Sequence, residues 1–215
     1  MKVARLNCQL STMSVAPTLG VYKLPTIDNE PMRNYEPNSK DRQELQKAVD
    51  ELLACKPFEI PVIIDGQEFR SGKLAKQVNP GDHARAVCYY HEADERMVNI
   101  AIEGALKAKK QWMNMPWSER AAISMKAADL IAHKYRYQLL AATMVGQGKN
   151  VWQAEIDAGA EICDFLRFGV KYVDDMYQIQ PPRNSPGVWN RTEYRPLEGF
   201  VLAISPFNFT AIAGN

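Results

Sequence analysis

The sequence predicts an α/β fold that is rich in helices, carries hairpins in its N-terminal part and contains the first strand of a doubly wound parallel sheet. Apolar residues recur at helical spacing in several segments, and Asp65-Gly66 separates two β-rich runs. Residues 200–204 form a continuous apolar run between Gly199 and Pro206. Such a run is typical of a parallel strand that helices bury on both faces.

Composition and charge exclude several classes of function. The 215 residues are 46% hydrophobic and carry 26 basic against 25 acidic side chains, with no basic face, so we expect no nucleic-acid partner. No apolar run approaches the roughly 20 residues that a bilayer requires, so we expect no membrane partner. The four cysteines form no Cys-x-x-Cys pair and the three histidines are scattered, so neither a disulfide framework nor a metal site is expected.

Residues 1–27 are basic, rich in hydroxyl side chains and free of acidic residues. This composition is typical of mitochondrial import presequences, although a merely disordered N-terminus fits it equally well. We therefore regard residues 1–27 as a possible targeting segment. Residues 25–38 contain three prolines and are expected to form an extended arm.

The first elements after the arm are a helix and two pairs of strands. Ser39 is a plausible N-cap for a helix that runs to about Ala54. Asp65-Gly66 predicts a tight hairpin within residues 59–70, because both central residues of that turn need positive φ. Residues 76–78 and 84–90 are expected to be extended, with a turn at residues 79–82 between them.

Longer helices follow. Asp94 is expected to cap one helix, Pro116 to open a second, and Gly146 and Gly148 to interrupt helicity before a last helix at about residues 151–177. The stretch before Lys149 lacks the glycine spacing and the hydroxyl residue of a phosphate-binding P-loop. The residues predicted to face inward are Met97, Ala101, Ala105, Ala108 and Trp112 in the first helix, and Ile123, Ala127, Leu130 and Ile131 in the second.

The last helix carries two rows of side chains. The residues predicted to be buried are Trp152, Ile156, Gly159, Ile162, Leu166, Gly169, Val173 and Met176. On an adjoining face, Glu161 precedes a row of rings formed by Phe165, Phe168 and Tyr172. A helical glutamate is most often a solvated surface residue, so the pattern alone leaves the role of Glu161 open. After a proline-rich break, residues 188–195 are expected to form an exposed strand.

The predicted strand at residues 200–204 leads directly into polar chemistry. In open α/β sheets, ligands bind beyond the carboxyl ends of the strands, where residues 205–209 would lie. Pro206 cannot donate to a strand ladder, so it ends the strand and leaves the Asn208 side chain free for a ligand.

This stretch, Ile204-Ser-Pro-Phe-Asn-Phe209, resembles the Pro-aromatic-Asn-Phe motif of the aldehyde dehydrogenase superfamily. Residues 143–149, 153–157, 165–168 and 197–200 resemble one branch of it, the mitochondrial Δ1-pyrroline-5-carboxylate dehydrogenases, also called L-glutamate γ-semialdehyde dehydrogenases. The resemblance runs from about residue 25 to residue 215. A single Pro-Phe-Asn-Phe motif would be weak, but the ordered set is specific.

The resemblance implies an aldehyde dehydrogenase-like fold and NAD-dependent oxidation of L-glutamate 5-semialdehyde to L-glutamate in proline catabolism. It implies NAD as cofactor, a small-molecule aldehyde as substrate, a homo-oligomer and a place in the mitochondrial matrix. Residues 28–177 would form the arm and helical part of the NAD-binding domain, residues 178–196 a linker and oligomerisation strand, and residues 197–215 the truncated start of the parallel sheet.

The same resemblance implies roles for individual residues. Asn208 matches the amide that holds the oxyanion of the reacting aldehyde, and a fixed donor aimed at developing charge lowers the barrier. Glu161 matches a carboxylate that faces the α-ammonium of the substrate, and Phe209 matches an aromatic wall of the aldehyde channel. The cofactor contacts would come from Ile204, Ser205, Pro206 and Phe207.

The nucleophilic cysteine and general-base glutamate of the family lie downstream of its Pro-aromatic-Asn-Phe motif. We therefore expect the chain to be an N-terminal fragment that is inactive alone. Cys163 is not expected to replace the nucleophile, because it lies within a helix near the predicted buried row. The alternative is a non-catalytic module that associates with full-length aldehyde dehydrogenase subunits.

Overall fold

The computed structural model describes residues 23–214. The first helix, α1, spans Lys40–Ala54 and begins as predicted, because the Ser39 hydroxyl accepts a hydrogen bond from the Arg42 amide at 3.2 Å. The arm before it has no regular secondary structure. Residues 1–22 of the possible targeting segment lie outside the described residues.

The strands confirm the predicted hairpin, but the extended run predicted before Asp65 forms two separate strands. Asp65 and Gly66 have φ values of 50° and 70°, and together they form the tight turn. Residues 59–64 do not form one strand, because Pro61 cannot donate to a ladder and separates two short strands that pair with different partners. The strands are β1 (Phe58–Ile60), β2 (Val62–Ile64), β3 (Gln67–Phe69), β4 (Leu74–Asn79) and β5 (Asp82–His91). They form a mixed sheet in the order β1-β5-β4 and the separate β2-β3 hairpin.

The middle helices begin where their caps predict. Helix α2 spans Glu95–Asn114, and the Asp94 carboxylate accepts a hydrogen bond from the Met97 amide at 2.8 Å. Helix α3 (Trp117–Asp129) continues into a π-helical segment, Leu130–Lys134. Tyr135 then separates that segment from α4 (Arg136–Gln147), a division that apolar spacing did not predict. Gly148, with φ 66°, ends α4 and confirms the predicted helix break.

The predicted inward face of α2 is largely wrong, whereas that of the second helix is right in part, because Ala127, Leu130 and Ile131 are half-buried and Ile131 packs against the core. Met97 is the only member of the predicted α2 row that is buried, because β2 is the main described neighbour of this helix. In α3 the buried residues are Ala121 and Ala128, whereas Ile123 is exposed. These small side chains face α6, against which α3 packs.

The last helical rod is continuous, as predicted. It consists of α5 (Val151–Ala154), a π-helical segment (Glu155–Glu161) and α6 (Ile162–Gln178). Of the predicted buried row, Gly159 and Ile162 are buried and Leu166 and Val173 are half-buried. The prediction is wrong for the other members, which are exposed: Trp152, Ile156, Gly169 and Met176. The i→i+5 bonding of the π segment widens the turn, so the faces before and after it lose a common register.

The core consists of two clusters on either side of this rod. One cluster joins the arm and α1 to α4 and the rod through Tyr35, Leu45, Leu140, Ala154 and Ala158. The second joins α3 and the segment after it to the rod through Ala128, Ala132, Ile162 and Cys163. The rod therefore contributes buried residues to both core clusters.

Residues 200–204 do not form the predicted buried strand. They have no strand assignment, and Val201 and Ile204 are 78% and 84% exposed. An apolar run becomes a strand only when a neighbouring strand takes up its backbone groups, and residues 23–214 supply none beside it. Residues 188–195 likewise form no strand in the described chain. No helix within residues 23–214 is long and apolar enough to span a membrane.

Candidate functional site

The segment that carries the motif residues is attached to the junction between α4 and α5. The Gln147 side-chain amide donates to the backbone carbonyl of Phe207 at 3.2 Å. The Thr143 hydroxyl donates to the Leu139 carbonyl at 2.8 Å and accepts from the Thr210 hydroxyl at 2.8 Å. The segment therefore has defined anchors although it forms no strand.

A lysine and an aspartate add the strongest of these anchors. Lys149 Nζ donates to the Asn208 carbonyl at 2.5 Å and to Asp157 Oδ2 at 2.9 Å. The same carboxylate oxygen accepts a hydrogen bond from the Thr210 amide at 3.2 Å. Sequence reasoning assigned no role to either residue. The available signal was the acidic pair Glu155 and Asp157 within an otherwise apolar part of the last helix.

The motif side chains differ in their surroundings. Asn208 is exposed, and its side-chain amide has no hydrogen-bond partner among residues 23–214, so it is available as a donor. Residues 204–207 are exposed, and Phe207 is 95% exposed. The Phe209 ring lies beside Lys149, whose Nζ is 4.8 Å from the ring centroid.

The predicted row on the last helix lines one pocket of about 490 Å³. Phe168 and Tyr172 stack at a tilt of 35°, with ring centroids 6.1 Å apart. Glu161 is half-buried and makes no ion pair within the described chain, which leaves its carboxylate available for a cation. The lining residues are Asn29, Glu161, Asp164, Phe165, Phe168, Gly169 and Tyr172.

The arm forms one wall of this pocket, which the sequence did not predict. The Asn29 side chain donates to Asp164 Oδ2, and the Glu30 amide donates to Asp164 Oδ1, each at 2.6 Å. Both oxygens of Asp164 are therefore occupied by the arm. Glu161 is the carboxylate of the pocket that these contacts leave free.

Both features depend on the π segment Glu155–Glu161. Its Asp157 holds the motif segment, and its Glu161 lines the pocket. Single π turns within α-helices occur frequently at functional sites. The π segment therefore contributes to both features, through Asp157 at the motif segment and through Glu161 at the pocket.

A buried ionic network fixes the position of the π segment. Arg136 and Glu155 are fully buried and paired with each other, and Arg136 also donates to Glu30 at 2.7 Å. The Tyr35 hydroxyl donates to Glu155 at 2.5 Å. Burial and this bond raise the pKa of Tyr35, so the phenol stays protonated and donates.

Two of the three described cysteines, Cys88 and Cys163, are buried and do not resemble an activated nucleophile, whereas Cys55 is exposed at the C-terminal end of α1. Cys163 is fully buried, and burial raises its pKa to about 11. Its Sγ donates to the Gly159 carbonyl at 3.3 Å. Burial also raises the pKa of Cys88. Within the part of the chain that the structure describes, no three His, Cys, Asp or Glu side chains cluster as a metal site would require.

The chain is similar to several known proteins. Residues 68–214 match the model of the aldehyde dehydrogenase family. A Δ1-pyrroline-5-carboxylate dehydrogenase of Agaricus bisporus is 60% identical over 197 residues, which cover 92% of this chain and 36% of that protein. The mitochondrial enzyme of that name from Homo sapiens is 46% identical over 189 residues, covering 88% of this chain and 33% of the human protein.

A solved structure shows the same similarity. The crystal structure of the Δ-pyrroline-5-carboxylate dehydrogenase from Mycobacterium tuberculosis bound with NAD has a TM-score of 0.88 and 41% identity. The match covers 92% of this chain and 37% of that one. The chain spans about a third of the length of the curated relatives that it matches.

Proposed function

Because this chain belongs to the aldehyde dehydrogenase family, we propose that it forms part of the active site of an NAD-dependent dehydrogenase of proline catabolism. The enzyme oxidises L-glutamate 5-semialdehyde to L-glutamate. The pyrroline-5-carboxylate dehydrogenases among its relatives support this choice of substrate. The observation that carries the proposal is the pairing of a free carboxylate with aromatic rings in one pocket.

Glu161 and the adjoining rings bind the α-ammonium group of the substrate. A free carboxylate offers charge-assisted hydrogen bonds, and the faces of Phe165, Phe168 and Tyr172 attract a cation. Simple aldehydes lack an ammonium group and gain nothing from this pocket. The pocket therefore selects an amino-acid aldehyde.

Asn208 stabilises the oxyanion that forms when a nucleophile adds to the aldehyde carbon. Its amide has no described partner that would compete for this donor, and its backbone is anchored through Lys149. Negative charge develops on the oxygen only during the reaction, so a donor fixed in advance favours the transition state over the substrate. Phe209, held beside Lys149, forms an apolar wall next to this donor.

The residues present fit one part of the cofactor. The exposed backbone and side chains of residues 204–207 leave a surface on which a flat ring can lie, next to Asn208. We therefore assign Ile204, Ser205, Pro206 and Phe207 to the nicotinamide half of NAD. When bound, NAD supplies the hydride acceptor of the reaction.

The thiol that attacks the aldehyde comes from outside the described residues. Burial leaves Cys88 and Cys163 neither accessible nor ionised near neutral pH. The family resemblance implies a nucleophile downstream of the motif at residues 204–209, so the 215-residue chain alone is expected to be inactive. Measurable NAD reduction by that chain with glutamate semialdehyde would contradict this part of the proposal.

The location and assembly belong to the same proposal. The mitochondrial relatives support a place in mitochondria, and we assign the enzyme to the matrix. It assembles as a homo-oligomer through the linker at residues 178–196. Fractionation of mitochondria and sedimentation of the native polypeptide that contains this sequence test these two assignments.

The main experiment measures NAD reduction by that native polypeptide. Asn208→Ala is expected to lower kcat about 100- to 1,000-fold, because one oxyanion donor is lost. Glu161→Gln is expected to raise KM for glutamate semialdehyde about 10-fold or more, through loss of a charge-assisted bond, while kcat/KM for propanal stays unchanged. Glu103→Gln, an exposed change on α2, is the matched control.

Equal loss of activity with both aldehydes in Glu161→Gln would contradict the substrate assignment. An Asn208→Ala variant with wild-type kcat would contradict the oxyanion assignment. An intact-mass measurement on the native protein separates an enzyme from the alternative of a short, non-catalytic module.

A further inference from the structure

We infer that Lys149 and Asp157 form a positioning pair that grips both peptide groups of Phe209 and so orients the Asn208 amide and the Phe209 ring. This inference deepens the proposed function and rests on it for the roles of Asn208 and Phe209. The grip itself rests on contacts within the described chain.

The two side chains hold the backbone on either side of one residue. Lys149 holds the carbonyl of the Asn208–Phe209 peptide, and Asp157 holds the N–H of the Phe209–Thr210 peptide. The ion pair at 2.9 Å joins the two bonds, so both peptide groups are fixed to each other and to the π segment. A single side chain would leave one peptide group free to rotate.

The backbones of both Lys149 and Asp157 are restrained by the secondary structure around them. Lys149 follows Gly148, which ends α4 at φ 66°, and precedes Asn150, which forms a capping box with Gln153 at the start of α5. The neighbouring caps therefore leave the Lys149 backbone little freedom. Asp157 lies in the π segment two residues after Glu155, whose carboxylate belongs to the buried ionic network.

The pair is largely shielded from solvent, and both hydrogen bonds to Asp157 go to Oδ2, while the buried Oδ1 has no hydrogen-bond partner within the described residues. The side chains of Lys149 and Asp157 are 18% and 3% exposed. The Lys149 ammonium faces the Asp157 carboxylate, the Asn208 carbonyl and the Phe209 ring, so each direction offers an attractive partner. Shielding strengthens these interactions, because the effective dielectric constant is lower than in water.

The consequence for catalysis follows from geometry. The Asn208 side chain leaves the backbone next to the carbonyl that Lys149 holds. Loss of that bond lets the amide move relative to the reacting carbonyl, and a displacement of about 1 Å can cost about 100-fold in rate. Lys149 therefore acts on the reaction through Asn208 and touches neither substrate nor cofactor.

The first test introduces Lys149→Met into the native polypeptide that contains this sequence. We expect kcat to fall about 30- to 100-fold, because Asn208 is misplaced. KM for the aldehyde and for NAD is expected to stay within about threefold, since ground-state binding is retained. Lys149→Arg keeps a charged donor and is expected to restore kcat to within about fivefold of wild type.

The matched control is Lys126→Met. Lys126 forms an exposed pair with Asp129 at 3.0 Å, and surface pairs contribute little, so kcat should stay within about twofold of wild type. A Lys149→Met variant with the kcat of this control overturns the inference. A loss confined to KM for NAD overturns it as well.

The second test measures the backbone directly. Amide hydrogen exchange at Thr210 is expected to become about 10-fold faster in Lys149→Met, because opening of this local unit becomes easier. Unchanged exchange overturns the inference. This readout needs no activity, so an inactive wild-type polypeptide would contradict the proposed function while the exchange result still decides the pair.

A double variant covers the case in which Lys149→Met does not fold. Lys149→Met with Asp157→Asn removes both charges, so no uncompensated carboxylate stays buried. The double variant is then expected to show the fall in kcat predicted for Lys149→Met, about 30- to 100-fold, because Asn208 is misplaced in the same way. A double variant with the kcat of Lys126→Met overturns the inference.

Discussion

At the scale of single residues, Gly159 is a position in the π segment at which any side chain would collide with its neighbours. A Cβ at Gly159 would lie 2.7 Å from Glu155 Oε2 and 3.3 Å from Leu140 Cδ1. Glu155 cannot move away readily, because Arg136 and Tyr35 hold its buried carboxylate. The glycine therefore allows a charged side chain to lie within the helix packing.

Gly159→Ala is expected to lower the free energy of unfolding by about 1–3 kcal/mol, because the added methyl group overpacks this region. Urea unfolding followed by circular dichroism measures the change. Gly169→Ala, on the same rod, is the control, since nothing lies within 4 Å of its added Cβ. The control should stabilise the protein by about 0.5–1 kcal/mol through helix propensity. Equal effects of the two substitutions would contradict the argument.

At the scale of elements, ion pairs and hydrogen bonds from side chains fix the extended arm, which has no regular secondary structure. Glu30 lies between Arg136 and Arg167 and accepts from each at 2.7 Å. Arg33 adds a backbone bond to Glu155 at 2.9 Å. The arm therefore fixes the π segment and one wall of the pocket at the same time.

This arrangement predicts a pH dependence of stability. Burial by itself raises the pKa of Glu30, but the hydrogen bonds from Arg167 and Arg136 outweigh it, so the pKa lies below its ordinary value of 4.5. A carboxylate with a lowered pKa stabilises the fold above its unfolded-state pKa, and that contribution is lost as the pH falls through the folded-state value. The arm should therefore loosen in acid.

In Glu30→Gln, the free energy of unfolding is expected to fall less between pH 6 and pH 3 than in wild type. The reason is that the glutamine at position 30 cannot take up a proton. Urea unfolding at several pH values measures the slope. The exposed Glu103→Gln is the control and should keep the wild-type slope. Parallel profiles for wild type and Glu30→Gln would refute a role for this carboxylate.

At the scale of the whole molecule, apolar side chains concentrate on the surface toward the C-terminal end of the described chain. Leu197, Val201, Leu202, Ile204 and Phe207 are all largely exposed. Contiguous apolar surface of this kind promotes association, and residues 200–204 also present unpaired backbone groups. The 215-residue chain should therefore associate when it is studied alone.

We expect light scattering of the 215-residue chain to rise with concentration at neutral pH. Val201→Ser with Ile204→Ser should reduce this association about 10-fold or more. Each of these aliphatic side chains contributes about 1.5–3 kcal/mol when association buries it. Ser205→Ala, in the same segment, is the control and should not reduce it. A monodisperse wild-type sample with a reversible melt would contradict the expectation.

The sequence predicted best where a structural choice is local. The caps at Ser39 and Asp94, the turn at Asp65-Gly66 and the end of α4 at Gly148 were all confirmed. Each depends on bonds or φ angles within a few residues, so the residue type alone largely decides the conformation. The row from Glu161 to Tyr172 shares one face as helical spacing predicts, since all its members line the same pocket.

Spacing failed where the outcome depends on a distant partner. Apolar residues in α2 and at residues 200–204 predicted burial, but apart from Met97 the predicted α2 row is exposed, and residues 200–204 are exposed as well. The roles of Asn29, Asp157 and Lys149 were not predicted, because each depends on a contact across more than one element or with the arm.

The sequence by itself therefore determined the caps, the hairpin, the helical rod and the family motifs, since short-range hydrogen bonds and backbone angles depend only on adjacent residues. Only the tertiary structure decided which faces are buried, how the arm closes the pocket and which ion pair holds the Asn208 backbone. Those outcomes require charges and surfaces that are far apart along the chain to meet, and no local pattern contains that information.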